Sequence, residues 1–278
     1  MAALTQSAIP KDEDLKESEA LRLDQAALED IDTEKVKITS IRHFASQGWP
    51  TLEMELTPDI GSTITLGGAA FDIKPGFGAV WFRITRTKTA YYMVQVWGQF
   101  TKEDREKMLA SCQVPKDAGV GPNAKWGPEP KMQKLADDLV EVWAPIEFKE
   151  DKADVAMIKG PDSKSYLAEF GCERFAIGVT MLPPGAVDQL DDSLMEQIIQ
   201  GVSSEAPASG YKVVFGPPKI YRSNQLDFHY ATGHTEGGDV RVDVTVTDNR
   251  IFIFTTSVPR GMLESDEIKR YIASYSIH

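Results

Sequence analysis

Arg241-Val242-Asp243-Val244-Thr245-Val246-Thr247, then Asp248-Asn249, then Ile251-Phe252-Ile253-Phe254-Thr255-Thr256 is the stretch whose reading decides the fold. β-Branched and aromatic residues dominate both arms, and such side chains favour a pleated, half-buried surface. Asp248-Asn249 supplies residue types that tolerate positive φ, as a two-residue hairpin turn requires. The stretch therefore predicts a hairpin of Val240–Thr247 and Ile251–Val258. A last helix follows from Ser265 to Tyr275, opening Ser265-Asp266-Glu267.

Outward from this hairpin, the first half of the chain ends in a similar way. Trp81-Phe82-Arg83-Ile84-Thr85-Arg86-Thr87, a turn, and Tyr91-Tyr92-Met93-Val94-Gln95-Val96 match the two arms in order and pattern. A helix follows from Thr101, with Asp104 three residues on as a form of capping box. Glu106–Val114 then matches Lys269–Ile277. Leu52–Pro58 and Ile177–Pro183 are each a strand closed by proline. Two related units are expected, the first of them degenerate, shorter and without the helix that follows Pro183-Pro184.

The remaining segments complete the outline. Residues 1–35 form an acidic arm or tail, with a helix over roughly Asp14 to Ile31 that docks on the body or on a partner. Val36–Ile41, Leu52–Leu56 and Ile64–Leu66 alternate as strands do. The first α+β lobe covers 36–114. Residues 115–130, with Gly119, Gly121, Pro122, Gly127 and Pro128, make a linker. The second lobe covers 131–278. In it, Met132, Leu135, Leu139 and Val142 predict an amphipathic helix over Lys131–Trp143, and 146–170 reads as irregular. Phe175–Leu182 is a strand, Asp191 or Asp192 caps a helix to about Val202, and Tyr211–Phe215, Pro218–Arg222 and Gln225–Thr232 are further strands.

This order resembles the PsbP-like α/β sandwich: a strand ending in proline, a helix, antiparallel strands ending in a hairpin, and a closing helix that finishes Ala273-Ser274-Tyr275. That fold is shared by an extrinsic subunit of photosystem II, a Ran nucleotide-release factor and many bacterial proteins. The resemblance spans about Arg174 to Ile277 and, more faintly, Trp49 to Val114. It implies an α+β class, with antiparallel sheets flanked by helices in two related lobes, used mostly for binding and assembly. The matched positions are packing positions, so no functional residue is carried over.

Composition narrows the partners. The chain has 278 residues, 42% apolar and 26% charged, enough to bury a core. Its net charge of −12 repels phosphate backbones and anionic lipid surfaces. A protein or peptide partner, basic in character, suits that field better, and neither nucleic acid nor membrane insertion is expected. No apolar run approaches the roughly 20 residues that a bilayer-spanning helix needs. Residues 1–35 lack the apolar stretch of a secretory signal. The chain reads as soluble, cytoplasmic as written, or extracytoplasmic if an export signal has been removed. Cys112 and Cys172 show no metal-binding spacing and read as unpaired thiols in a chain with enough core to need no staple.

Catalytic motifs are not legible. There is no nucleophile elbow, and Gly76-Phe77-Gly78 and Gly119-Val120-Gly121 lack the rest of a phosphate loop. Asp188, Asp191 and Asp192 precede a helix and suit capping rather than calcium. Arg174 could lower the pKa of Cys172, but no partner histidine is identifiable. His229, His234, Glu236 and Asp239 offer nitrogen and oxygen ligands for a metal, although a strand end and turn do not set their geometry. No cofactor is implied. Trp81, Tyr91, Tyr92 and Trp97 are read as an aromatic docking surface or as core; Tyr91 and Tyr92, being adjacent in a strand, face opposite sides. The expected function is a non-enzymatic binding or assembly protein that uses a sheet face or an inter-lobe groove. The alternatives are a small-ligand or metal-binding protein using the His229–His234 segment and, third, an enzyme with a scattered site.

Overall fold

The structure, a computed structural model, describes residues 2–8, 19–28, 31–32, 35–66, 69–111, 114, 119–121, 126–151, 162–183, 185, 192–205, 213–235, 238–247 and 249–278. The chain divides into two compact units, one of 1–128 with 170–172 and 260–262, the other of 129–169, 173–259 and 263–278. Each is α+β, with antiparallel sheets flanked by helices.

The first unit runs β1 (Ala2–Ala8), α1 (Glu19–Leu28), β2 (Val36–Ser46), β3 (Trp49–Pro58), β4 (Thr63–Leu66), β5 (Ala69–Asp72), β6 (Ala79–Arg86), β7 (Ala90–Gly98) and α2 (Lys102–Ser111). Its main sheet has the order β1-β7-β6-β3-β2, and β4-β5 is a separate hairpin. Side chains alternate across a strand, which splits the sheet into two faces. Leu52, Met54, Leu56, Val80, Phe82 and Ile84 are buried on one face, where α1 lies against β3 and β6. On the other, Trp81, Val94 and Val96 pack with Leu109 of α2. Thr101 caps α2 as expected: Oγ1 accepts the Asp104 N–H at 3.1 Å and donates to the Asp104 carboxylate at 2.7 Å.

The second unit runs β8 (Lys131–Leu135), β9 (Val140–Ala144), β10 (Lys149–Glu150), β11 (Lys164–Phe170), β12 (Glu173–Met181), α3 (Asp192–Glu205), β13 (Val214–Phe215), β14 (Lys219–Ser223), β15 (Leu226–His234), β16 (Gly238–Thr247), β17 (Arg250–Pro259), α4 (Asp266–Ala273) and β18 (Ser276–Ile277). The main sheet is β10-β11-β12-β17-β16-β15-β13, with β14 also on β15, and β18-β9-β8 is a small second sheet. Val240, Val242, Val244, Ala231, Ile251 and Ile253 pack under Met195 and Ile199 of α3. The opposite face stacks Phe254 on Tyr275 at 4.1 Å and sets Phe175 against Tyr271 at 4.8 Å. The deciding hairpin is present from Gly238 to Pro259, and Asn249 takes φ 61° in its turn. Ser265 caps α4 by accepting the Ile268 N–H.

Three expectations are corrected. Lys131–Trp143 is a hairpin, not a helix. Gln133, Leu135, Val140, Val142 and Ala144 are buried in alternation while Met132 is 52% exposed, and Ala136, Asp137 and Asp138 turn the chain at positive φ. The helical spacing depended on Met132, which faces out. Within 146–170, the expected irregular stretch contains β10 and β11. Finally, residues 1–35 contain a strand: β1 pairs with β7 from Ala2↔Val96 to Ala8↔Ala90. The expected helix occupies Glu19–Leu28.

β1 and α1 also change the comparison of the two units. Strand, helix, four-stranded meander and helix is β1-α1-β2-β3-β6-β7-α2 in the first and β12-α3-β14-β15-β16-β17-α4 in the second. In both, the leading strand pairs with the last strand of the meander. Thus β3, despite its closing Pro58, occupies the place of β15 rather than that of β12. The helix expected to be absent from the first half is α1, which precedes the meander. Among the described residues, the main sheet of the first unit has five strands and that of the second has eight.

Candidate binding cleft on the first unit

The alternation that buries Leu52, Met54 and Leu56 puts Glu53 and Glu55 on the opposite face. Cross-strand register sets Arg42 and Arg83 beside Glu53, and Trp81 beside Glu55. α2 covers only the β6–β7 side of that face. A cleft of about 500 Å³ remains between the helix and the sheet. Four cationic side chains (Arg42, Arg83, Lys102, Arg105) and three carboxylates (Glu53, Glu55, Glu106) line it, with Ser40, Trp81, Leu109 and Ala110 among the other lining residues.

The charges are extensively paired. Glu53 accepts from Arg42 and from Arg83, whose Nε lies 2.8 Å from Oε1. Arg83 also donates to the Leu109 carbonyl, tying the sheet to α2. Arg105 reaches Glu55 at 3.1 Å, and its guanidinium lies 5.2 Å from the centre of the Trp81 ring. Arg42 lies 4.7 Å from the Phe44 ring centre. Arg83, Glu53 and Arg105 are only 14–16% exposed, so their pairs are less screened than surface pairs are. The Trp81 indole N–H is buried and has no hydrogen-bond partner among the described residues.

The aromatic residues singled out from sequence do not form one surface. Trp81, Tyr91 and Trp97 are 8%, 9% and 8% exposed, and Tyr92 is half-buried. Register puts Trp81 and Tyr92 on the cleft face and Tyr91 and Trp97 on the other, where Trp97 meets Phe71 edge to face at 5.7 Å. Trp81 alone of the four lines the cleft. The histidines are separated likewise. His229 and His234 are five residues apart on β15, an odd interval, so they face opposite sides of the sheet. His234 Nδ1 is 2.7 Å from Asp239 Oδ1, while His229 stands beside Val244 and Ile220. Glu236, Cys112, Asp188 and Asp191 lie outside the described residues. Among the described residues, no three His, Cys, Asp or Glu side chains are grouped to hold a metal ion.

Two buried polar groupings were not visible in the sequence. In the first unit, Asp24 and His43 are 0% and 1% exposed and 2.8 Å apart. The other Asp24 oxygen accepts the Cys172 backbone N–H at 2.8 Å, and Phe170 and Trp126 set their rings against His43. This pair ties α1, β2 and the Gly171-Cys172 turn together. In the second unit, Arg241 grips Asp243 through a two-nitrogen fork at 2.6–3.0 Å. The rings of Tyr230 and Tyr221 flank its guanidinium at 4.0 and 5.2 Å. Burial pushes the Asp243 carboxyl above the ordinary aspartate value, and the Arg241 fork opposes that shift. Burial likewise raises the hydroxyls of Tyr221, Tyr271 and Tyr275.

The sheets and helices themselves define an α+β protein. No family model and no curated protein matches the chain. Among solved structures, the solution structure of cyanobacterial PsbP (CyanoP) from Synechocystis sp. PCC 6803 is similar, with a TM-score of 0.41 and 9% sequence identity. That similarity takes in 53% of this chain and 92% of that one. No helix among the described residues is long and apolar enough to cross a membrane.

Proposed function

We propose that the protein is a non-enzymatic binding or assembly protein that works through a sheet face, with the cleft under α2 as its site. The observation that carries this reading is the open half of the first unit's sheet, where a ladder of arginine–glutamate pairs lines a concave surface instead of packing a core. Preorganised charge beside an apolar wall suits recognition, because a few convergent polar groups in a concave, partly apolar surface are the usual make-up of a binding site. Cross-linking and affinity capture under native conditions, with wild type and an Arg42→Glu/Lys102→Glu variant, test it. A specific partner or ligand recovered by wild type and lost by the variant supports the reading. Recovery of nothing specific, or equal recovery by both, counts against it.

A second reading, small-ligand or metal binding at the end of β15, is favoured by the His234–Asp239 pair at 2.7 Å. Zinc titration followed through the histidine ring signals should perturb His234 if it holds, and an unresponsive spectrum removes it.

A further inference from the structure

We propose that the cleft of the first unit takes a small organic carboxylate with an apolar body. This rests on the reading of that cleft as the binding site, and it names the occupant.

Charge decides the sign of the ligand. The chain as a whole carries −12, yet four cationic side chains line the cleft against three carboxylates. Glu53 is already held by two arginines and Glu55 by Arg105. A cationic ligand would have to break those pairs to find a partner. An anion joins guanidinium groups that have donors to spare, since each carries five N–H groups in a planar fork.

Hydrogen bonding points the same way. Trp81 is 8% exposed and lines the cleft, and its buried indole N–H lacks an acceptor among the described residues. A buried donor left unpaired is costly, and a carboxylate oxygen is a strong acceptor for it. Polar groups that converge beside an apolar wall, here Trp81 and Leu109, are the usual make-up of a small-molecule site, and about 500 Å³ suits one.

The second unit shows what is missing from the first. There Tyr230 stands across from Asp243 in the place that Glu53 takes across from Arg83. The rings of Tyr230 and Tyr221 cover the Arg241–Asp243 pair, leaving the Asp243 side chain 0% exposed. In the first unit Phe44 holds the place of Tyr221, with its ring 5.8 Å from the Arg83 guanidinium, while Glu53, in the place of Tyr230, carries no ring. The apolar body of the ligand fills, in the first unit, the space that the Tyr230 ring fills in the second.

The test uses the full chain labelled with nitrogen-15, phenylpropionate as probe, and phenylpropylamine as its cationic match. The Trp81 indole N–H signal is assigned with Trp81→Phe. Phenylpropionate should shift that signal saturably at millimolar concentration, and the amine should not. Lys102→Glu, an exposed change, should weaken phenylpropionate by about fivefold, in line with reversing one partly screened charge, with the rest of the spectrum unchanged. No shift of Trp81, or equal shifts with both probes, overturns the proposal. If phenylpropionate fails while a captured partner still cross-links to Lys102, the occupant is wrong and the binding reading stands.

Discussion

Arg241 and Asp243 illustrate what a buried charge asks of its neighbours. The Asp243 side chain is 0% exposed and that of Arg241 16%. Removing one partner strands a charge, and such losses are typically about 3–5 kcal/mol. Arg241→Met should therefore lower unfolding free energy by about 3 kcal/mol in urea titration. The double change Arg241→Met/Asp243→Leu should recover most of it, because an apolar pair has no charge to desolvate. Equal losses in the single and double variants would assign the effect to packing alone.

The tyrosines beside that pair set the behaviour in alkali. Tyr221, Tyr271 and Tyr275 have hydroxyls raised from the ordinary value of 10.0, with burial as the largest cause. A raised folded pKa means that the native state holds its proton where the unfolded chain has lost it. Stability from these groups is thus complete below pH 10 and falls as pH rises above it. Three such groups predict a slope of about 4 kcal/mol per pH unit, at 1.36 kcal/mol each. Tyrosinate absorbance should appear together with loss of structure. Tyrosinate formed in a chain that stays folded would contradict the assignment.

Among the elements, β1 has the largest consequence for its size. It contributes seven residues that pair with β7 along its length. Without it, β7 becomes a bare edge with unmatched N–H and C=O groups, a template for pairing with another chain. Deleting residues 1–8 should shift the protein toward dimers or aggregates in size-exclusion chromatography, whereas a chain that stays at its wild-type elution volume would show the edge to be protected in another way. The strand escapes detection because Ala-Ala-Leu-Thr-Gln-Ser-Ala has no alternation. Its conformation is set by the open edge of β7, and a partner edge leaves no mark on the local sequence. The hairpin β8–β9 shows the converse. Its apolar residues fit a helical wheel and a pleat nearly as well, and the turn at Ala136–Asp138 decides between them.

At the scale of the whole molecule, the charge of −12 governs colloidal behaviour more than fold. With a sequence pI of 4.9, light scattering should find a solubility minimum near that pH and recovery on either side. Precipitation that does not follow net charge would point to an exposed apolar surface instead. The cleft's local excess of cations is a feature of arrangement, and only the register of β2, β3 and β6 collects it.

The sequence by itself determined the strands of the two meanders, the Asn249 turn, the capped helix α2, the closing helix α4, and the α+β class. Each of these rests on interactions within a few residues: alternation, turn chemistry and capping. Tertiary structure alone decided the rest. It placed β1 on β7 and made α1 the counterpart of α3. Through the β6–β7 register it put Trp81 on the face of Tyr92 rather than that of Tyr91 and Trp97, and it parted His229 from His234. It also brought Arg42, Glu53, Arg83 and Arg105 together. The polar side of Leu52-Glu53-Met54-Glu55-Leu56 was in plain view as the complement of a buried face. Which charges oppose it depends on strand order and register, and these follow from long-range pairing that no local stretch of the chain encodes.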